Sequence, residues 1–317
     1  MKISIVIPVF NEVESLPHLH QAIRESLAGR DHEVIYVDDG STDGSVEALE
    51  ALMRQNTVPA RVVVLRRNFG QTAALAAGID HSAGDVIVTL DADLQNDPAD
   101  IPMLIQKIEE GYDVVSGWRV DRQDAALTRR LPSQIANWLI SRVTGVPLHD
   151  YGCTLKAYRR EVLEGFHLYG EMHRFIPAYA GGVGARIIEV PVRHHARRFG
   201  HAKYGLERTI KVILDLFTVK FLTSYAAKPI YLFGGTGLGL IGVSFALLLV
   251  LIGRRIALEE HMIRSPLLLM STMVFILGAQ SILLGLLAEL MVRTYHESQA
   301  KPTYSVRRVV DPSPARK

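Results

Sequence analysis

Over residues 1–120 the chain alternates short apolar runs with amphipathic stretches. Runs rich in valine, isoleucine and leucine fall at 3–7, 34–37, 62–65, 86–90 and 114–116. Each is too short for a buried helix, and the β-branched content favours strands. Between them the apolar period lengthens. Residues 15–27 place Leu16, Leu19, Ile23 and Leu27 on one face, and 43–53 opens with Asp43 and Gly44 in helix-starting positions. Residues 71–79 are alanine-rich, and 101–108 follow Pro98. Strands alternating with helices of this length predict an α/β domain with a mostly parallel sheet flanked by helices.

The pattern changes late in the chain. Residues 230–252 and 266–288 are each 23 residues without a charge, longer than the roughly 20 needed to cross a bilayer as a helix. The connector 253–265 makes the two spans a hairpin with both chain ends on one side. It carries Arg254, Arg255 and Arg264, whereas the outer flanks carry Lys211, Lys220, Lys228, Arg293, Lys301, Arg307 and Arg308. That excess of basic residues favours cytoplasmic ends. The apolar start M-K-I-S-I-V-I-P reads as a first strand rather than a signal peptide. In Gly235-x-x-x-Gly239 small residues permit close packing, within the hairpin or in a homo-oligomer.

A formal net charge of +2 gives no support for a nucleic-acid partner, and the single cysteine, Cys153, excludes an intramolecular disulfide and a cysteine-based zinc site. In sheets of this kind ligands bind beyond the carboxyl ends of the strands. Polar residues stand at those positions: P-V-F-N-E (8–12), D-D-G-S-T-D (38–43), R-R-N-F-G-Q (66–71), D-A-D-L-Q (91–95) and Arg119. No G-x-G-x-x-G follows the first strand and no P-loop motif occurs, so dinucleotide and P-loop readings lose their main support. Taken alone, D-D-G-S-T-D is explained by a turn entering a helix.

The stretch T-L-D-A-D-L-Q-N-D-P (89–98) sets three carboxylates within seven residues at the end of an apolar strand. Like charges this close need solvation or a cation. Asp91 and Asp93 can offer oxygen ligands to one hard cation, and Mg²⁺ commonly completes its shell with water and substrate phosphates. A nucleotide-diphosphate substrate suits that chemistry. A solvated turn, with Asp97 capping a helix, is the bland alternative.

V-I-P-V-F-N-E, V-D-D-G-S-T-D, N-F-G-Q, L-D-A-D-L-Q-N-D-P and the paired apolar spans together resemble the polyisoprenyl-phosphate glycosyltransferases, inverting family 2 enzymes with the GT-A fold. The likeness runs along essentially the whole chain. It implies transfer of a sugar from a nucleotide sugar, with UDP preferred, to polyprenyl (undecaprenyl) phosphate at the bacterial cytoplasmic membrane. Mg²⁺ or Mn²⁺ is the implied cofactor, and the product is a polyprenyl-monophosphosugar for cell-envelope glycosylation. Pro8, Phe10, Glu12 and Asp39 match the nucleotide pocket; Asp91, Asp93 and Gln95 match the donor-diphosphate and metal motif; Arg119 matches a phosphate-facing arginine. The segment R-R-F-G-H-A-K-Y-G (197–205) resembles one that closes over the donor and meets the lipid phosphate, through Arg198 and Lys203.

One departure stands out. Some relatives carry an aspartate, a candidate base, where this chain has Cys153, and Asp150 nearby is either a turn residue or a catalytic carboxylate. The acceptor tolerates the loss, because a phosphate monoester with a second pKa near 6 is largely dianionic at pH 7.

The expected organisation is a GT-A domain (1–205), an amphipathic juxtamembrane segment (206–229), the two spans, and a basic cytoplasmic tail (289–317). The basic residues before the first span can instead serve as a patch for anionic lipid. Three rivals remain: a GDP-mannose-using mannose synthase, a processive polysaccharide synthase (disfavoured by the missing Q-x-x-R-W) and a non-catalytic membrane scaffold.

Overall fold

The computed structural model describes residues 1–55, 58–120, 137–138, 140–142, 144–164, 168, 172–196, 229–258, 265–298 and 303–311. The chain forms two units: 1–219 together with 302–317, and 220–301.

The first unit follows the periodicity of its sequence. Strands β1 (Ile3–Val9), β2 (His32–Asp38), β3 (Ala60–Leu65), β4 (Val86–Thr89) and β5 (Val114–Trp118) alternate with helices α1 (Leu16–Ser26), α2 (Ser45–Arg54), α3 (Gln71–Asp80) and α4 (Ile101–Glu109). Beyond them come β6 (Lys156–Arg159), α5 (Arg160–Leu163), α6 (Ile176–Gly182), β7 (Ile187–Pro191) and β8 (Val306–Val310). The eight strands form one sheet in the order β7-β5-β6-β4-β1-β2-β3-β8.

Pairing is parallel for β1 with β2 and β4, for β2 with β3, and for β5 with β7. β6 runs antiparallel to both β4 and β5, and β8 antiparallel to β3. Because β6 reverses direction between them, β4 and β5 point the same way. The carboxyl ends of β1 to β5 therefore share one edge.

Both sheet faces are covered, as a parallel sheet requires. Ile3, Ile5, Ile7 and Val9 face one core with Leu16, Leu19 and Ile23 of α1 and Ile101, Leu104 and Ile108 of α4. Val6, on the opposite face, packs with Leu75 of α3 and Ile176 of α6. α3 lies very close to the sheet: a Cβ placed on Gly78 would stand 2.2 Å from Val6 Cγ1 and 3.1 Å from Val37 Cγ2. The alanine-rich sequence of α3 is what lets the helix approach so near.

The second unit is a helical hairpin, α7 (Pro229–Leu258) and α8 (Pro266–Ser298). The apolar stretches Phe233–Ile256 and Pro266–Ala288 have mean hydropathies of 2.3 and 2.1. Large apolar side chains such as Leu238, Leu249, Leu269 and Leu283 face outward, an arrangement suited to lipid rather than water. The helices meet where side chains vanish. A Cβ on Gly237 would lie 2.6 Å from the Gly278 carbonyl oxygen, and one on Gly278 2.8 Å from that of Gly237. Ser244 and Ser271 each donate to the other's carbonyl oxygen, at 2.8 and 3.0 Å. Gly235 and Gly239 have open space around them, so the close contact in the hairpin comes from a different pair of glycines than the G-x-x-x-G pattern.

One expectation meets a different structure, and another falls outside the described residues. The stretch 289–317 contains the end of α8 and then the edge strand β8, so it is not a tail throughout. The amphipathic segment before the hairpin lies outside the described residues, apart from Pro229, which begins α7.

Gly78→Val should overpack the contact between α3 and the sheet by about 2–3 kcal/mol. In thermal unfolding of the detergent-solubilised protein, the midpoint of the first unit should fall by roughly 5 °C or more.

Candidate functional site

The shared strand-end edge gathers the loops singled out in the sequence. Near the end of β1, Pro8 pairs in register with Val37, and Phe10 and Glu12 follow the strand, half-buried. This loop is tied to the one after β2: Asn11 N donates to Ser41 Oγ at 2.9 Å, Thr42 N to Asn11 Oδ1 at 2.8 Å, and Glu12 N to Ser45 Oγ at 3.0 Å. Asn11 takes a positive φ of 52° at this turn, a conformation asparagine tolerates better than most residues.

Asp38 and Asp39 are buried at the end of β2. Asp38 accepts from the amides of Gly40 and Ser41, closing its own turn. Asp39 accepts from Phe69 N at 2.7 Å and Gly70 N at 2.9 Å, one bond to each oxygen. Burial pushes both carboxyls above the usual carboxylate range, and the amides act against that rise. Gly40, at φ +75°, presses on the same loop, and a Cβ there would lie 2.7 Å from Arg67 C and Asn68 N. The loops after β1, β2 and β3 are thus tied together, with Asp39 joining the second to the third.

The D-x-D turn after β4 is held from two sides. Asp91 Oδ1 accepts from Gln71 Nε2 and Oδ2 from Thr154 Oγ1, each at 2.7 Å. Thr154 Oγ1 in turn accepts from Asn96 Nδ2 at 3.1 Å. Asp93 is buried, and its Oδ1 accepts from Gln95 N at 3.1 Å. The turn is pinned again beyond Gln95. His195 N donates to the Gln95 carbonyl at 2.8 Å, Arg193 Nη2 pairs with Asp100 at 2.7 Å, and Arg193 Nη1 reaches Asp97 at 3.1 Å.

Asp91, Asp93 and Gln95 stand on one turn, and each carries a side-chain oxygen. Among the described residues no group of three or more histidine, cysteine, aspartate or glutamate side chains could hold a metal ion. A donor set this small fits Mg²⁺ or Mn²⁺ sharing its shell with water and a diphosphate, and it does not fit a closed structural metal site.

Arg119, at the end of β5, has a different immediate partner from the one its resemblance implies. Its guanidinium grips Asp150 with two parallel bonds, Nε to Oδ2 at 2.7 Å and Nη2 to Oδ1 at 2.9 Å. The side chains are 14% and 4% exposed. Burial opposes the charge on Arg119, yet the Asp150 carboxylate holds its pKa above the ordinary arginine value. Nη1 lies outside this fork. Arg174 approaches the same spot: its Nη1 is 3.7 Å, and Arg119 Nη2 3.2 Å, from where a Cβ on Gly152 would stand. Asp150, left open in the sequence as turn or base, is the carboxylate that orients Arg119.

Cys153 occupies the position where the resemblance places an acid in some relatives. It is fully buried, and desolvation pushes its thiol up to about 11, so it stays protonated near neutral pH. Lys156, also buried, donates to the carbonyls of Tyr151 and Cys153 and braces this turn. Gln71, Asn96, Thr154 and Lys156 were not singled out individually in the sequence. Gln71 and Asn96 lay within quoted motifs, and Thr154 and Lys156 carry no spacing signal. Arg198 and Lys203 lie outside the described residues.

With this geometry in view, comparison with known proteins is informative. The model of the family described as glycosyl transferase family 2 matches residues 4–166. Dodecaprenyl-phosphate galacturonate synthase of Rhizobium johnstonii is 43% identical, the match covering 98% of this chain and 94% of that protein. Undecaprenyl-phosphate 4-deoxy-4-formamido-L-arabinose transferase is 40% identical in both Klebsiella pneumoniae and Pseudomonas aeruginosa, over 98% and 99% of this chain and 94% and 91% of the relatives. Among solved structures, glucosyl-3-phosphoglycerate synthase from Mycobacterium tuberculosis, crystallised with Mn²⁺, UDP and phosphoglyceric acid, superposes with a TM-score of 0.55 at 21% identity. That likeness covers 69% of this chain and 78% of the other and supports the GT-A-type fold. The family match and the near end-to-end likeness agree with the strand-end geometry: the chain belongs to glycosyl transferase family 2.

Proposed function

We propose that this chain transfers a sugar, with inversion, from a nucleotide sugar to a polyprenyl phosphate at a membrane. One observation carries the reading. Asp39, the D-x-D turn and the Arg119–Asp150 pair stand on one sheet edge of a chain alike over almost its full length to transferases named for polyprenyl-phosphate acceptors. UDP-sugars are the preferred donors, consistent with the bacterial subgroup that the sequence resembles.

In this reading the pocket of Pro8, Phe10, Glu12 and Asp39 receives the nucleotide. The oxygens of Asp91, Asp93 and Gln95 would hold Mg²⁺ or Mn²⁺, which when bound supplies positive charge beside the diphosphate. An oxygen of the lipid phosphate attacks the anomeric carbon, the bond from that carbon to the diphosphate breaks, and the nucleoside diphosphate leaves with the electron pair. Arg119, fixed by Asp150, is a preorganised cation facing the charge that develops. Such fixed charge acts without reorganisation during the reaction.

No protein base is required. The acceptor brings its own anionic oxygen, the Cys153 thiol is neutral, and Asp150 is committed to Arg119. Arg198 and Lys203 remain proposed phosphate ligands, and Arg198 follows the anchored His195 by three residues.

The chain leaves the first unit before the hairpin and returns to it afterwards. That path suits an even number of crossings, with the catalytic domain and both ends cytoplasmic.

The reading is tested by incubating purified protein with undecaprenyl phosphate and a panel of UDP- and GDP-sugars, with product identified by mass. A polyprenyl-monophosphosugar from a UDP-sugar is expected. A GDP-sugar as the sole donor would support the mannose-synthase alternative, and no glycolipid from any donor would leave the scaffold reading.

Asp93→Ala and Asp91→Ala should each lower turnover about 100-fold or more, the scale of a lost transition-state stabiliser, with circular dichroism unchanged. Chelator should silence the wild type, and added Mg²⁺ or Mn²⁺ should restore it. Full activity in chelator would remove the metal from the scheme.

Asp150→Ala strands a buried guanidinium and should cost about 3–5 kcal/mol of stability. The double variant Arg119→Met/Asp150→Leu should recover much of that in thermal unfolding while remaining without transferase activity. Activity in the double variant would show that Arg119 takes no part in the reaction.

For orientation, a single cysteine placed within 259–264, in a Cys153→Ser background, should react with impermeant maleimide from outside the cytoplasm. Labelling from the cytoplasmic side alone would reverse the assignment.

A further inference from the structure

The segment after the second membrane helix does more than end the chain. Residues 303–311 read T-Y-S-V-R-R-V-V-D, and their strand β8 covers the edge of the sheet beside β3, with a register shift at Val64/Leu65. Its antiparallel direction brings the first residues of β8 to the carboxyl end of β3, where the loop 66–70 begins.

That loop is gripped on two sides. Toward the candidate pocket, Phe69 N and Gly70 N donate to Asp39, and Arg67 and Asn68 back onto Gly40. Toward the C-terminal segment, Arg66 N donates to the Ser305 carbonyl at 2.9 Å. Phe69, Tyr304 and Val306 each pack against one core cluster, that of Ile35, Val37, Val63, Leu65, Ala74 and Ala77. Arg308 pairs with Glu50 and Arg61 with Asp311, both at 2.6 Å and both partly exposed. Exposed pairs of this kind add little energy. The apolar contacts and the edge pairing must therefore hold the strand.

We propose that the C-terminal strand is a positioning element of the donor-nucleotide pocket: Ser305, Tyr304 and Val306 set the loop 66–70, and through its two amides they set Asp39. The inference rests on the reading that the Asp39 pocket holds the nucleotide. The physical argument is one of geometry. The loop's amides at Phe69 and Gly70 lie outside any strand or helix ladder, so their direction depends on what the loop packs against. Hydrogen bonds weaken steeply with angle, and a small shift of Phe69 would spoil both bonds to a buried carboxylate.

Chain order adds a consequence. β8 follows both membrane spans, so the pocket receives its last support only after the hairpin has been made. A chain with one span misplaced would leave β8 across the membrane from β3 and the donor pocket unfinished.

The test uses the full-length protein in detergent with UDP and GDP as binding probes. Tyr304→Ala and Val306→Asn should weaken binding of the preferred nucleotide and raise the donor KM about tenfold, with kcat and the acceptor KM within twofold of wild type. Amide exchange should rise in 66–70 and stay unchanged in β1. Tyr304→Phe keeps the ring and loses only the 2.8 Å bond to exposed Asp80; it should behave as wild type.

Asp39→Asn serves as the reference. If it leaves nucleotide binding intact, the pocket reading itself fails. If Asp39→Asn weakens binding but the Tyr304 and Val306 variants do not, the positioning role alone is overturned. A uniform loss of kcat, both KM values and exchange protection across the sheet would also overturn it, since that marks general destabilisation. Should Val306→Asn fail to fold, the contrast between Tyr304→Ala and Tyr304→Phe decides.

Discussion

Buried carboxylates at one sheet edge are the constraint around which the first unit is organised. Asp38, Asp39, Asp93 and Asp150 are nearly or fully buried, and Asp91 lies beside them. An ionised carboxylate removed from water must find donors or lose its charge. Here the donors come largely from neighbouring loops: amides of Phe69 and Gly70 for Asp39, Gln71 and Thr154 for Asp91, the guanidinium of Arg119 for Asp150. Satisfying the charges and fixing the loops are the same event.

This arrangement divides labour between protein and substrate. A site that had to deprotonate its acceptor would need a carboxylate or imidazole with an open side. The position where the resemblance places an acid in some relatives carries a buried, protonated thiol, and Asp150 is locked in an ion pair. The proposed mechanism therefore relies on electrostatic positioning, which suffices for an acceptor that arrives as an anion. The Arg119–Asp150 pair illustrates a general trade. Such a buried pair adds little net stability relative to apolar residues, yet removing one partner is expensive, so its value lies in holding the guanidinium in place.

The apolar hairpin is suited to a different solvent, lipid. Lipid gives no hydrophobic drive for two apolar helices to associate, so contact depends on close approach and hydrogen bonds. Gly237 with Gly278 supplies the first, and Ser244 with Ser271 the second. The glycines at 235 and 239 share the helix but not its contact face. Spacing alone could not tell these pairs apart, because which side of a helix meets its partner is a property of the pair.

What the sequence by itself determined was everything local in origin. The five leading strands and four helices appear within a few residues of their expected bounds, since periods of 2 and 3.6 are written directly in the apolar positions. The two long apolar helices follow from length and apolarity, and the polar strand ends gather on one edge. Tertiary structure alone decided the partners. β6 and β7 are short strands with weak patterns, and β8, V-R-R-V-V, carries two arginines in a stretch that reads as a basic tail. Each exists because an open neighbour needed a hydrogen-bonded edge. Asp150 was legible as an acid but not as the partner of Arg119, 31 residues away. Thr154 gave no signal until it met Asp91, 63 residues away. A hydrogen bond between distant residues leaves no periodicity, and only the folded sheet brings its two ends together.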